Sequence, residues 1–271
     1  MLGRSVMPTM DARGYDTRLS ISAILGGASL APIIPPSLLV IMVGSMVDVS
    51  IAKLLIAGIV PGIMMAVIMV IYVYIRLLRN PNLEPDGDRG VREKVSPREF
   101  FTALARTLPF LIVIFSVMGL ILMGIVTPTE SAATGVLGAM LAAAVFRKLS
   151  FKMLYDAVLG TCSVSTMILV IMASSMLFGQ LLSFTGASSG LVRMASELDL
   201  PLVGTFIVLM LVPFILCMFV DLFAVMLVAI PIYDPLLQVY NFDPVWFWML
   251  FLINLTLGLS LIHISEPTRP Y

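Results

Sequence analysis

The sequence predicts an all-α fold of the polytopic membrane type, and three observations predict it. Apolar residues make up 60% of the 271 and charged residues only 12%, against roughly 25% charged in an ordinary soluble domain. Mean hydropathy is +1.07, too high for one greasy tail to produce. The charges gather in a few short stretches, and the apolar runs between them reach about twenty residues or more, enough to cross ~30 Å of hydrocarbon as a helix. A soluble protein of this size would have no water-facing surface left.

The apolar segments run over 19–47, 51–75, 107–126, 131–146, 154–184, 201–232 and 244–262. Three are irregular. Segment 19–47 carries Gly26, Gly27, Pro32, Pro35 and Pro36, and prolines so closely spaced remove donors and clash with preceding carbonyls, so no continuous helix passes through them. Segment 201–232 is over-long and is interrupted by Pro213, Asp221 and Pro231, while 107–146 is split by Thr127-Pro128-Thr129-Glu130. Non-helical backbone at membrane depth survives only against protein or a water-lined cavity, so broken helices are candidate sites.

Orientation follows from Lys and Arg. If 201–232 folds back as a hairpin and every other segment crosses once, residues 1–18, 76–106 and 147–152 share one side. That side holds Arg4, Arg13, Arg18, Arg76, Arg79, Arg89, Arg92, Lys94, Arg98, Arg106, Arg147, Lys148 and Lys152. The other side, 48–53, 185–200 and 233–243, holds only Lys53 and Arg193. The imbalance makes the first side cytoplasmic. Without the hairpin, 233–243 would fall inside, which its lack of basic residues disfavours.

Residues 80–95 read as a polar linker. Ser96-Pro97-Arg98-Glu99 is then a capping box with proline at the first helical position. Phe100, Phe101 and Leu104 follow at helical spacing, either as an interfacial amphipathic helix or as the first turns of the next membrane helix. The first eighteen residues contain no apolar stretch of the signal-peptide kind. Cys162 and Cys217 lie inside apolar stretches as small hydrophobes, and the twenty methionines read as core and lipid-facing filler. No basic patch interleaved with aromatics points to nucleic acid.

An internal repeat carries more information. Pro8-x7-Asp16-x13-Leu30 is matched by Pro235-x7-Asp243-x13-Leu257, with Gly14-Tyr15 and Asn241-Phe242 before the two aspartates. Charge puts Asp16 inside and Asp243 outside. Two copies on opposite faces describe an inverted-topology repeat, a plan of secondary transporters in which the site lies at the repeat interface.

These residues resemble a known family. Gly14-Tyr15-Asp16 followed by Gly27-Ala28-Ser29-Leu30-Ala31-Pro32-Ile33-Ile34-Pro35-Pro36-Ser37 is similar to the GYD…GtLGxiIPPS signature of the large membrane subunit of tripartite ATP-independent periplasmic (TRAP) transporters. Ala57-Gly58-Ile59-Val60-Pro61-Gly62, Thr127-Pro128-Thr129-Glu130-Ser131-Ala132-Ala133, Phe219-Val220-Asp221, Phe242-Asp243-Pro244-Val245-Trp246-Phe247 and Asn254-Leu255-Thr256-Leu257-Gly258 follow in the family's order. The resemblance covers about residues 3–259. It implies an elevator-type permease with re-entrant hairpins and broken helices, in a bacterial inner membrane. It further implies sodium-coupled uptake of organic acids, typically carboxylates, with a periplasmic substrate-binding protein and a small membrane subunit as partners. Residues 1–78 then belong to the first repeat, 79–106 to a cytoplasmic linker with the amphipathic helix, and 107–259 to the second repeat with its hairpin at about 201–240. The family's glycine after the leucine is Ala31 here. The tip of the first hairpin is absent, and residues 260–271 stand where a TPPxG stretch is expected and resemble a sequencing scar. A chain lacking those segments is expected not to transport.

Sodium is a hard cation that takes oxygen ligands, and broken helices offer freed carbonyls and half-helix dipoles. Gly27, Ser29 and Ser37 are therefore candidate sodium ligands, with Pro35 and Pro36 shaping the break; no other cofactor is implied. Asp221, the only acid deep within an apolar segment, is costly there by about 2.5–3.5 kcal/mol or more, and reads as a site residue or as a helix cap at a hairpin tip. Thr127, Thr129 and Glu130 are further candidates, with Thr129 as a cap and Glu130 in the first turn favoured over substrate contact. An intramembrane protease would need paired acids, a Ser/His pair or HExxH, and an ATPase a Walker A loop; none is present. An ABC-type permease would couple through a cytoplasmic Glu-Ala-Ala loop, whereas Glu130-Ser131-Ala132-Ala133 falls outside by charge. Another ion-coupled organic-acid symporter remains the alternative.

Overall fold

In the computed structural model the described residues are 2–80, 83 and 96–265, and they form helices with no strand among them. In order these are α1 (Leu2–Ala12), α2 (Thr17–Leu30), α3 (Leu38–Met46), α4 (Ile51–Arg79), α5 (Pro97–Leu122), α6 (Pro128–Val145), α7 (Phe151–Phe184), α8 (Ala187–Glu197), α9 (Leu202–Leu216), α10 (Leu222–Val239) and α11 (Pro244–Ser265). Helices α4, α7 and α10 are long and apolar enough to cross a membrane, and α9 and α11 contain shorter apolar spans. Much of the apolar surface points outward: Val158, Leu169, Leu177 and Phe184 on α7 are all exposed. Water would not tolerate so large a face; lipid does. The protein is a multi-pass membrane protein.

The chain forms two compact units, Met1–Ser37 with Gly58–Ala142, and Leu38–Ala57 with Ala143–Tyr271. In the first, α5 and α6 pack through small residues. A Cβ on Gly135 would meet Val117, and one on Gly138 would meet Val113. The buried Ser131 hydroxyl donates to the Val117 carbonyl at 2.7 Å. Helix α5 runs unbroken from Pro97, so residues 97–106 are the opening turns of that helix and form no separate element.

The second unit holds the core. Phe206 of α9 lies against Trp246 of α11, with ring centroids 4.9 Å apart. Further along both helices, Asn254 donates its side-chain N–H to the Met210 carbonyl at 2.6 Å, and Gly258 lies against Phe214 and Cys217. Contacts that advance together along both sequences mean that α9 and α11 run parallel. Helix α10 is joined to α11 by a four-residue loop, with Tyr233 packed on Phe247 and Phe251, so those two run antiparallel. The chain therefore reverses between α9 and α10, at 217–221. Gly258 matters here, since a Cβ on it would sit 2.9 Å from Cys217 Cβ and 3.1 Å from the Phe214 carbonyl.

Proline breaks neither α9 nor α10. Pro231 has no N–H for the Leu227 carbonyl four residues earlier, and the Ser175 hydroxyl of α7 donates to that carbonyl instead. Gly179, one turn along α7, leaves room for the Pro231 ring, which lies 2.8 Å from where a Cβ would be. Pro231 is thus a supported helix position, contrary to its expected role as an interruption. Helix α8 was not expected either: 185–200 reads as a loop, yet it holds a short helix that follows Gly186 in a left-handed turn (φ 75°).

The two Asp-containing turns have matching local backbones. Shifted by 227 positions, Ala12 and Val239 end their helices, and Thr17 and Pro244 begin the next. Gly14 (φ 79°) and Asn241 (φ 53°) occupy the same left-handed position. The Tyr15 N–H donates to the Met10 carbonyl and the Phe242 N–H to Leu237, both at 3.1 Å. Asp16 then accepts from the Leu19 N–H at 2.9 Å and Asp243 from the Trp246 N–H at 2.7 Å. Each aspartate caps the helix that follows it.

Candidate functional site

Three candidate regions follow from the sequence, and each has a distinct local build. The first is the break between α2 and α3. Helix α2 closes with the Ala31 N–H on Ala28 and the Ile34 N–H on Leu30, and the chain then turns through 31–37 with Pro35–Pro36 in cis. The Ser37 hydroxyl, almost fully buried, donates to the Pro32 carbonyl across the turn. Ser29, part-buried, donates to the Gly26 carbonyl at 2.8 Å. That bond uses the hydroxyl hydrogen and leaves the oxygen's acceptor capacity unused. Gly27 is exposed, with open space where a Cβ would be. Gly62 of α4 packs under the break: a Cβ there would meet Ile34 at 2.9 Å and Ile33 at 3.6 Å, which gives the Pro61-Gly62 motif a packing role. The break thus holds Pro35, Pro36 and the buried Ser37 in one turn, while Ser29 lies in the last helical turn before it and bonds within α2.

The second region is the start of α6. Pro128 is the first helical residue, and Thr127, not Thr129, is the cap. The Thr127 hydroxyl accepts from the Glu130 N–H at 3.3 Å while Glu130 Oε2 accepts from the Thr127 N–H at 2.8 Å. Glu130 also accepts from the Thr127 hydroxyl at 2.8 Å. This is a reciprocal capping box with proline at its first position. The correction was legible in the T-x-x-E spacing: the cap needs the residue three before Glu130, and Thr129 is one before it. Thr129 remains exposed.

The third region is the reversal at 217–221. Asp221 is exposed and caps α10, its Oδ2 accepting from the Phe223 N–H at 2.9 Å. The cap satisfies one of the donors that open every helix, and it turns a carboxylate outward at the tip. Among the described residues no group of three or more His, Cys, Asp or Glu side chains stands ready to hold a metal ion. A cation held among these residues would take neutral oxygens with at most one or two carboxylates.

Comparison with known proteins decides the family. Residues 1–262 match the family described as the tripartite ATP-independent periplasmic transporter, DctM component. The chain belongs to that family. Among curated proteins, it is 29% identical over 264 residues to the ectoine/5-hydroxyectoine TRAP transporter large permease protein of Ruegeria pomeroyi, covering 95% of this chain and 59% of the relative. It is 26% identical over 261 residues to the C4-dicarboxylate TRAP transporter large permease protein of Pseudomonas aeruginosa, with the same coverage. Identity is also 26%, over 258 residues, with the isethionate TRAP transporter permease protein DctMQ of Oleidesulfovibrio alaskensis, covering 95% of this chain and 40% of that one. The chain spans about 59% of the length of the first two relatives. The resemblance drawn from six ordered motifs is borne out, and the ABC-type alternative falls with it. Within this TRAP permease chain, the motif-bearing segments are the break after α2, the box opening α6, and the cap at the α9–α10 reversal.

Proposed function

We propose that this chain is the translocating part of a sodium-coupled TRAP permease that imports organic acids across the bacterial inner membrane. A periplasmic binding protein would deliver the substrate and a small membrane subunit would complete the complex. The observation that carries the reading is the equivalence of the two Asp-capped turns, Gly14-Tyr15-Asp16 and Asn241-Phe242-Asp243, in a chain of this family. With opposite orientation from the charge count, they describe two inverted repeats, and transporters of that plan hold substrate and ion where the repeats meet. The first repeat's contribution is segment 27–37, the end of α2 and the turn after it. Its carbonyls and the Ser29 and Ser37 oxygens are suited to a hard monovalent cation, and the half-helix ends add their dipoles. Relatives named for ectoine, C4-dicarboxylates and isethionate support a small organic acid as the cargo class.

The test is uptake of radiolabelled succinate into proteoliposomes, in a form carrying the relatives' full length together with the small subunit and binding protein. The expected result is uptake that rises with an inward sodium gradient and stops when choline replaces sodium. Ser29→Ala should raise the sodium concentration needed for half-maximal rate. Uptake indifferent to sodium, for succinate and for a wider panel of organic acids, would remove the sodium coupling.

A further inference from the structure

A groove of about 740 Å³ opens between α7, α8 and α10 in the second unit, apart from all three motif-bearing regions. Its volume lies in the ~300–1,000 Å³ range of small-molecule sites. Ser188 and Ser189 lie on the 185–200 segment and Asp234 and Gln238 on 233–243, two segments that between them hold Arg193 as their one basic residue. Its lining is chemically one-sided. Gln180, Ser183, Ser188, Ser189 and Gln238 supply hydroxyl and amide groups, and Asp234 is the only charged side chain among the lining residues.

Asp234 is half-buried, and Gln238 donates to its Oδ2 only at a long 3.4 Å. A carboxylate has room for about four acceptor interactions, so this one long bond leaves most of its capacity unused. Asp48 adds a second negative charge whose field reaches Asp234. Arg193 of α8, the nearest base in sequence to the lining residues, pairs with Glu197 instead. A carboxylate ligand would meet repulsion here with no counter-charge, whereas a cationic nitrogen would find a charged acceptor and a ring of neutral ones. Met46, Met176, Val192 and Ile230 give the same groove an apolar wall for the ligand's carbon skeleton.

We propose that this groove is a binding site for a primary ammonium group, with Asp234 as its counter-charge and the α8 serines and Gln238 as hydrogen-bond partners. It is separate from the sites proposed for the organic acid and sodium, and does not rest on the transport reading. Two sources can present that group: a small amine or amino-alcohol in solution, or the headgroup of a phosphatidylethanolamine.

The test uses the purified chain in nanodiscs of phosphatidylcholine and phosphatidylglycerol, titrated with ethanolamine by calorimetry at constant sodium. The expected result is saturable binding, unaffected by excess succinate and at least tenfold weaker in Asp234→Asn. Because that variant could lose stability, its unfolding midpoint is measured alongside. Ser189→Trp adds a large side chain to the groove from α8 and should abolish binding. Adding phosphatidylethanolamine distinguishes the sources: competition marks a lipid headgroup, and unchanged affinity marks a soluble amine. Absence of saturable binding in the membrane without phosphatidylethanolamine overturns the proposal, as does wild-type affinity in a folded Asp234→Asn or in Ser189→Trp.

Discussion

At the scale of single residues, the chain solves one problem repeatedly: a backbone group that a proline or a helix end leaves without a partner in apolar surroundings. Leu227 is the clearest case. Its carbonyl loses its donor to Pro231, and Ser175, 52 residues away in sequence, replaces it. Ser175→Ala should cost roughly 1–3 kcal/mol, the penalty of an unsatisfied buried acceptor. Chemical unfolding in detergent reads this directly, and an unchanged midpoint would mean that water or a neighbour takes over. Asp221 separates capping from charge. Asparagine caps about as well as aspartate, whereas alanine loses about 1 kcal/mol of helix stability. Asp221→Asn should therefore leave folding intact. If the proposed site uses the charge, the same variant abolishes sodium-driven uptake; normal uptake would leave the residue a purely capping role. The Thr127–Glu130 box was readable from spacing alone, because a cap is a local interaction. The Ser175–Leu227 bond was not, because nothing local relates a serine on one helix to a carbonyl on another.

Elements follow the same division between local and distant causes. The break after residue 30 was legible, since three prolines within five residues leave no helical alternative. The survival of α10 through Pro231 and Pro235 was not, because it depends on α7 presenting Ser175 and Gly179 at the right height. Gly179→Leu should push α7 and α10 apart at Pro231 and destabilise the protein by about 1–3 kcal/mol through overpacking, measurable as a lowered unfolding midpoint. The short α8 escaped notice because its composition is that of a loop. The repeated turn makes a sharper prediction. Gly14 and Asn241 share a left-handed conformation that β-branched residues resist by roughly 1–2 kcal/mol. Asn241→Gly should be tolerated and Asn241→Val should destabilise, with the same ordering for Gly14→Asn against Gly14→Val. Equal penalties for all four would mean that the two turns are not held as the backbone shows them.

For the whole molecule, composition alone identified a membrane protein, since charge is too scarce to cover a soluble surface. Family membership came from motif order, because each motif is short and only their sequence along the chain is specific. Sidedness has a different source, the division of Lys and Arg among connecting segments, and the opposite orientation of the two equivalent turns is proposed from that division. Asp11 and Gln238 occupy matching positions in those turns, 227 residues apart, and both are exposed. Single cysteines at these two positions, in a chain whose Cys162 and Cys217 are replaced, can be challenged with a membrane-impermeant thiol reagent in intact cells. Gln238→Cys should be labelled from outside, and Asp11→Cys only after the membrane is opened. Labelling of both from the same side would contradict the opposite orientation of the two turns, on which the proposed transport reading rests.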